Sequence, residues 1–234
     1  MYNTFLKKLI NKDDFNKLLN SNFCKSSFAQ YGEDLAVNKI LSKIKDGTFL
    51  DLGSYHPIHF SNTFLLYLRG WRGINVDGNN EMIEMSKKVR PFDKNIHAFL
   101  SNKKENCYYI KNKKHPAMNR VVNTLTSLTQ DEEHDIVNTI TLNEIIKKYR
   151  NYMRDLCYLN IDLEFKDEIL LKEFDFTKYH PLLITIEIHE FEFYEKNNIS
   201  EFLKKFNYSL YSYIKPTAFY IDIDFKNNKF SRGF

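Results

Sequence analysis

Cysteine is too scarce in this chain to build a framework from. Cys24, Cys107 and Cys157 are odd in number and far apart, so neither a disulfide scaffold nor a cysteine-based zinc cluster is indicated, and the chain reads as one suited to a reducing cytoplasm. Glycine is sparse as well: there are seven, and all but one lie between Gly32 and Gly78. Because glycine is needed where backbone turns tightly or meets a ligand, that uneven supply places the ligand-handling turns in the first third of the chain. No apolar run approaches the ~20 residues that a membrane-spanning helix needs. Residues 1–20 mix Lys7, Lys8, Lys12 and Lys17 with acids, which excludes a secretory signal there. Charge is not one-sided either. The net charge of +4 comes from lysines scattered among acids, which gives nucleic acid no footprint. What is plentiful is apolar surface: at 234 residues and 43% hydrophobic, the chain can bury the core of one domain with a short appendage.

The rest of the chain is organised around 48–57, Thr-Phe-Leu-Asp-Leu-Gly-Ser-Tyr-His-Pro. Thr48, Phe49 and Leu50 read as a buried strand, closed by Asp51 and a turn at Gly53 and Ser54. A helix-like run over 61–68 follows, then a second apolar strand over 73–76 that ends on Asp77. Strand, glycine turn, helix, strand and acid in one short unit is the layout of a nucleotide-binding α/β fold. Gly53 lets backbone approach a ligand closely, and a carboxylate at Asp77 can accept both hydroxyls of a ribose. The pyrophosphate fingerprint G-x-G-x-x-G is missing, which disfavours an NAD-type dehydrogenase and points to a nucleoside without phosphates. S-adenosylmethionine fits that description.

Elsewhere the pattern is plainer. Residues 1–26 form a polar helical lead-in whose Phe5, Leu6, Ile10, Phe15 and Leu18 share one face, suited to packing, to a lid or to contact between copies of the chain. Residues 27–34 read as a capping turn for a helix over 35–44, with Glu33 and Asp34 in the first turn. A helix over 80–89 stops at Pro91, and a third strand over 96–100 ends at Ser101 and Asn102, facing the base of the nucleotide. Residues 103–135 are the least regular part, with an edge strand at 108–110 and otherwise a long loop, lid or substrate site. A strand over 137–141 and a helix over 142–149 come next. Two buried strands then end on acids: 157–161 leads to Asp162, and 181–186 leads to Glu187 and His189, with a helix over 167–174 between them. Ligands of open α/β sheets bind outside the carboxyl ends of the strands, which gathers Asp51, Asp77, Asp162, Glu187 and His189 at one rim. The runs 208–213 and 218–224 suit an antiparallel edge hairpin.

These segments resemble a known family. SFAQYGEDL at 27–35, FLDLGSYHPIHFSN at 49–62, RGWRGINVD at 69–77, and the stretches 141–149 and 159–187 are similar to the FkbM family of S-adenosylmethionine-dependent methyltransferases. The resemblance implies a class I methyltransferase domain over 27–234. Its fold would be α/β and Rossmann-like, a mostly parallel seven-stranded sheet with an antiparallel edge hairpin and helices on both faces. It also implies O-methylation, of a sugar (nucleotide-activated, for surface polysaccharide such as capsule) or of a natural product. Gln30, Glu33, Asp51, Gly53 and Asp77 correspond to cofactor-side positions, joined by Ser54 and Ser101. The family's Asp-x-Glu-Gly-x-Asp run after the fourth strand is kept at Asp162, Glu164 and Asp167, but Phe165 replaces its glycine. That departure is what a scaffold protein that kept the fold and lost the chemistry would show.

The chemistry narrows the candidates. Methyl transfer to an alcohol is an in-line displacement, so placing the oxygen close and collinear supplies much of the rate. The hydroxyl's proton must also leave, which calls for a general base or a metal. His56, His59 and His189 follow the glycine turn and the fifth strand, and each titrates near neutrality. His56, His189 and Asp162 are the catalytic candidates. Asp162, Glu187 and His189 form an alternative ligand set for Mg²⁺ or Mn²⁺.

Overall fold

A computed structural model describes residues 25–125, 128–163, 166–188 and 198–230. Residues 1–24 of the lead-in, Phe165 and His189 lie outside the described residues. The central sheet has seven strands in the order β10-β11-β9-β8-β1-β2-β3. These are β1 (Thr48–Leu52), β2 (Arg72–Asp77), β3 (Lys94–His97), β8 (Leu156–Ile161), β9 (Leu183–Glu187), β10 (Tyr208–Ile214) and β11 (Thr217–Asp222). β3, β2, β1, β8 and β9 run parallel. The hairpin β10–β11 is antiparallel, but β11 is the strand laid against β9, so β10 is the edge and only β11 runs counter to the rest.

The parallel strands are nearly continuous apolar runs because both faces are covered. Side chains alternate between two core clusters. Leu50, Ile74, Leu159, Ile161, Ile184 and Ile186 belong to one, and Phe49, Tyr158, Leu183 and Phe219 to the other. Val37 and Ile40 of α1 (Glu33–Ile40) and Leu66 of α2 (Phe64–Leu68) cover the second face. Residues of α4 (Leu142–Lys148), α5 (Asp167–Glu173) and α6 (Asn198–Lys204) cover the first. Helix α3 (Asn80–Val89) follows β2, and α7 (Ile223–Phe230) closes the described chain. No helix among the described residues is long and apolar enough to cross a membrane.

Three expectations are corrected. The helix expected over 61–68 begins only at Phe64, because Ser61 and Thr63 turn their hydroxyls to other work: Ser61 Oγ accepts from Phe64 N at 3.1 Å, and Thr63 Oγ1 donates to Asp51 at 2.6 Å. The third strand breaks at Ala98, whose N–H donates to Asp77 O. The chain then leaves the sheet as β4 (Phe99–Leu100) and enters a second one, in the order β4-β7-β5-β6, made with β5 (Asn106–Asn112), β6 (Arg120–Val122) and β7 (Glu132–Ile140). The supposed long loop is therefore largely a sheet. Most of β7 is exposed, so it carries no apolar alternation. Its acids pair instead with lysines of β5 and the turn after it, Asp135 with Lys111 at 2.6 Å and Glu133 with Lys113 at 3.1 Å.

Candidate active site

An open cleft lies over the carboxyl ends of β1, β2, β8 and β9 and is roofed by the second sheet. Gln30, Glu33, Gly53, Asp77, Asp162 and Glu187 all form its walls, so the structure brings six of the expected site residues together. Its empty space, about 1130 Å³, runs out through a wide mouth into open solvent.

The turn after β1 is built by backbone demands before any ligand arrives. Gly53 has φ +84°, and a Cβ on it would lie 1.6 Å from Asp162 O. Only glycine lets the ends of β1 and β8 approach this closely. Gly53 N and Ser54 N both donate to Val76 O, at 2.9 and 3.2 Å, which ties the turn to β2. Asp77 finishes the tie: Oδ2 accepts from Tyr55 N at 2.7 Å and Oδ1 from Asn79 N at 2.6 Å. Each carboxylate oxygen keeps a further lone pair for a ligand. Burial pushes Asp77 up to about 6, against the two backbone hydrogen bonds that favour the ionised form. Ser54, expected at the site, is not on the cleft wall; its Oγ is buried and has no hydrogen-bond partner among the described residues.

On the entry side, Glu33 Oε2 accepts from Tyr31 N at 2.7 Å, and Asp34 gathers Ser27 Oγ and Phe28 N at 2.6 and 2.8 Å. The 27–34 segment is thus a self-bonded turn that also presents Gln30 and Glu33 to the cleft. Burial raises the Glu33 carboxyl. From the roof, Tyr109 enters with its phenol pushed by burial up to about 12 while Asn119 Nδ2 donates to it at 3.0 Å.

Asp51 does not reach the cleft wall. It is buried one layer below, where Oδ2 accepts from Thr63 Oγ1 at 2.6 Å and Oδ1 from Asn160 Nδ2 at 2.8 Å. Asn160 Oδ1 in turn takes Asn62 Nδ2 and Thr185 Oγ1, and Arg90 joins Thr63 to Asp93 at 3.1 and 2.8 Å. A polar seam therefore crosses one face of the sheet under the cleft floor. Burial raises the Asp51 carboxyl, and the Thr63 and Asn160 hydrogen bonds oppose that rise. Thr63→Val, which removes a donor from this buried acceptor, is expected to cost about 1–3 kcal/mol, read as a lower melting temperature. An unchanged melting temperature would count against the seam. Its sequence signal was polar residues inside buried strands, Asn75, Asn160 and Thr185, which the motif reading passed over.

The remaining expected residues stand apart. Ser101 is buried behind the wall, where Lys166 Nζ donates to its Oγ at 3.1 Å and to Asn123 Oδ1 at 2.8 Å. His56 is not on the cleft wall. Its Nδ1 accepts from Ile58 N and His59 N at 3.0 and 2.9 Å, and its pKa is lowered by burial and by His59. Among the described residues no group of three or more His, Cys, Asp or Glu side chains could hold a metal ion. Asp162 and Glu187 of the expected trio share the cleft, and His189 lies outside the described residues. Tyr55, Phe60, Asn62, Tyr109 and Lys166 also form walls and were not anticipated.

No curated protein and no solved structure matches the chain. The methyltransferase FkbM domain does, over residues 51–213, a span that opens on Asp51 and contains the glycine turn, Asp77, Asp162, Glu187 and the whole second sheet. A glycine-turn cleft with an acid on β2, in a chain matched over most of its length, makes this protein a member of the FkbM methyltransferase family.

Proposed function

We propose that the cleft holds S-adenosylmethionine and that the chain methylates a hydroxyl of a nucleotide-activated sugar destined for a surface polysaccharide such as capsule. The observation that carries this reading is the charge and shape of the cleft wall. Glu33, Asp77, Asp162 and Glu187 meet around a turn with a single glycine, a setting that suits a cationic nucleoside. In this reading Asp77, on the cleft wall, accepts the ribose hydroxyls. Bound there, S-adenosylmethionine supplies an electrophilic methyl group on a sulfonium.

The chain's own residues do the rest. Lys166 brings positive charge to the cleft wall, which suits the diphosphate of an activated sugar, while Arg120 beside it is paired with Glu132 at 2.6 Å. Asp162, next to the Gly53 turn, orients the acceptor hydroxyl and takes its proton. His56 is less suited to that role, because its Nδ1 lone pair is already given to two backbone N–H groups. Catalysis by a Mg²⁺ or Mn²⁺ ion on Asp162, Glu187 and His189 is the alternative.

A screen of nucleotide-activated sugars for S-adenosylhomocysteine release, run with and without chelator across roughly pH 5.5–9 around the ordinary histidine value, tests the proposal. The expected result is release with at least one such sugar, indifferent to chelator, falling ~10²–10⁴-fold in Asp162→Asn. Activity that collapses in chelator and returns with Mg²⁺ or Mn²⁺ would transfer the role to a metal. Release only with hydroxyl acceptors that are not sugars would move the substrate to natural products. Cofactor binding without any turnover would leave a scaffold.

A further inference from the structure

The loop between β1 and α2 holds two aromatic residues in left-handed backbone, Tyr55 at φ 42° and Phe60 at φ 57°. Bulky residues rarely adopt such a conformation, and it persists only where the surroundings enforce it. Here three ties enforce it. Tyr55 N is bound to Asp77 at 2.7 Å, Ser61 N donates to Phe28 O at 3.1 Å, and between them His56 Nδ1 takes both Ile58 N and His59 N. The product of this clamping is a phenyl ring that forms part of the cleft wall and yet is 55% exposed. Burial of apolar surface cannot be what holds it there, since burial would draw the ring inward. Phe60 stands beside the 28–33 segment through the Ser61–Phe28 bond, and the Tyr55 ring is 6.4 Å away, tilted by 31°.

We infer that Phe60, with Tyr55 beside it, is the platform on which the apolar C–H face of the acceptor sugar ring lies, and that His56 is the positioning residue that holds this platform. The inference rests on the sugar-hydroxyl reading above. A pyranose presents hydroxyls at its edge and C–H groups on its face, so an exposed aromatic ring in a polar cleft removes the one apolar part of the substrate from water. The strained loop then fixes the ring's height and tilt, and with them the distance from the acceptor hydroxyl to the acids on the wall.

His56 does this work only when neutral, because protonation turns Nδ1 from acceptor to donor and breaks both backbone bonds at once. The titratable groups facing it are His59, with ring centroids 4.6 Å apart, and Tyr55 at 6.4 Å, beyond which lies Asp77. Burial and His59 both lower its pKa, so the loop stays clamped at neutral pH and loosens on the acid side.

The test compares wild type with Phe60→Ala, Phe60→Trp, His56→Ala and His56→Asn. It uses acceptor KM and kcat, together with calorimetric binding of S-adenosylhomocysteine and of the sugar to the S-adenosylhomocysteine-loaded protein. Phe60→Ala is expected to raise acceptor KM and sugar Kd roughly 10-fold, with S-adenosylhomocysteine affinity unchanged, while Phe60→Trp stays near wild type. His56→Ala should behave like Phe60→Ala. His56→Asn keeps an acceptor oxygen at the place of Nδ1, so it should restore KM and abolish the rise in KM that wild type shows as pH falls. Unchanged KM in Phe60→Ala overturns the inference, as does Phe60→Trp matching alanine, or cofactor affinity falling in step with acceptor affinity. A wild type that turns over sugars alongside an equally good Phe60→Ala sinks this inference alone. A wild type that binds and turns over no sugar sinks the sugar reading and this inference with it.

Discussion

Replacing Gly53 with alanine is expected to lower the melting temperature by roughly 10 °C, the equivalent of about 3 kcal/mol or more in a domain of this size, and to remove cofactor binding. Two effects combine. The φ of +84° is unfavourable for any residue with a Cβ, and that Cβ would sit 1.6 Å from Asp162 O and 2.6 Å from the carbonyl carbon. A backbone atom has no rotamer to escape into, so the ends of β1 and β8 must separate, and they carry the turn and Asp162. Gly32→Ala is the control. Its φ is +93° with nothing within 4 Å of the added Cβ, so it should show strain alone, ~1–2 kcal/mol. Scanning calorimetry and cofactor titration on both variants decide the matter. Gly53→Ala behaving like Gly32→Ala would show that the close approach of the two strand ends is not what the glycine serves.

Asp77→Ala should weaken S-adenosylmethionine binding by ~100-fold or more, because two hydrogen bonds to a charged acceptor at ~1.5–3 kcal/mol each are lost. The structure adds a second loss, since Tyr55 N and Asn79 N are left without the carboxylate that organises the turn. The pH dependence has opposite signs for stability and for binding. Folding raises the Asp77 carboxyl from 3.8 to about 6 by burial. The folded chain therefore holds this proton more tightly than the unfolded one, and the group's contribution to stability falls as pH rises through about 6 and is regained as pH falls toward 4. Binding needs the ionised acceptor, so cofactor affinity should drop below pH about 6 while this group favours folding. The site keeps a charge that the fold alone would discard. Titrations at pH 7 and 5 that give equal affinity for wild type would contradict the assignment, and so would Asp77→Ala with wild-type affinity at neutral pH.

Much of this was legible in the sequence wherever local chemistry and burial agreed. The helix over 80–89 came out with those bounds because Asn79 caps it, accepting from Glu81 N and Met82 N, and because Pro91 forbids its extension. The strand pair around Gly53 was readable because parallel strands buried on both faces are unbroken apolar runs. The second sheet was not readable, since β7 earns its place through ladder bonds and lysine–acid pairs rather than an apolar face. Asp51 looked like a rim residue because it precedes the glycine turn, yet alternation along β1 turns its side chain into the face that α1 and α2 cover. Phe60 could not be anticipated at all. Nothing in the string His-Pro-Ile-His-Phe announces that a histidine ring nitrogen will hold the loop and leave a phenyl ring at the cleft.

S-adenosylmethionine is expected to bind in the cleft between the Gly53 turn and Asp77. Amide hydrogen exchange with and without S-adenosylhomocysteine tests it most directly. The expected result is added protection in the 30–34, 53–56 and 77–80 segments and in the 98–101 crossing to the second sheet, with β10 and α7 unaffected. Binding that leaves those segments unchanged, or protects a different part of the chain, would contradict it.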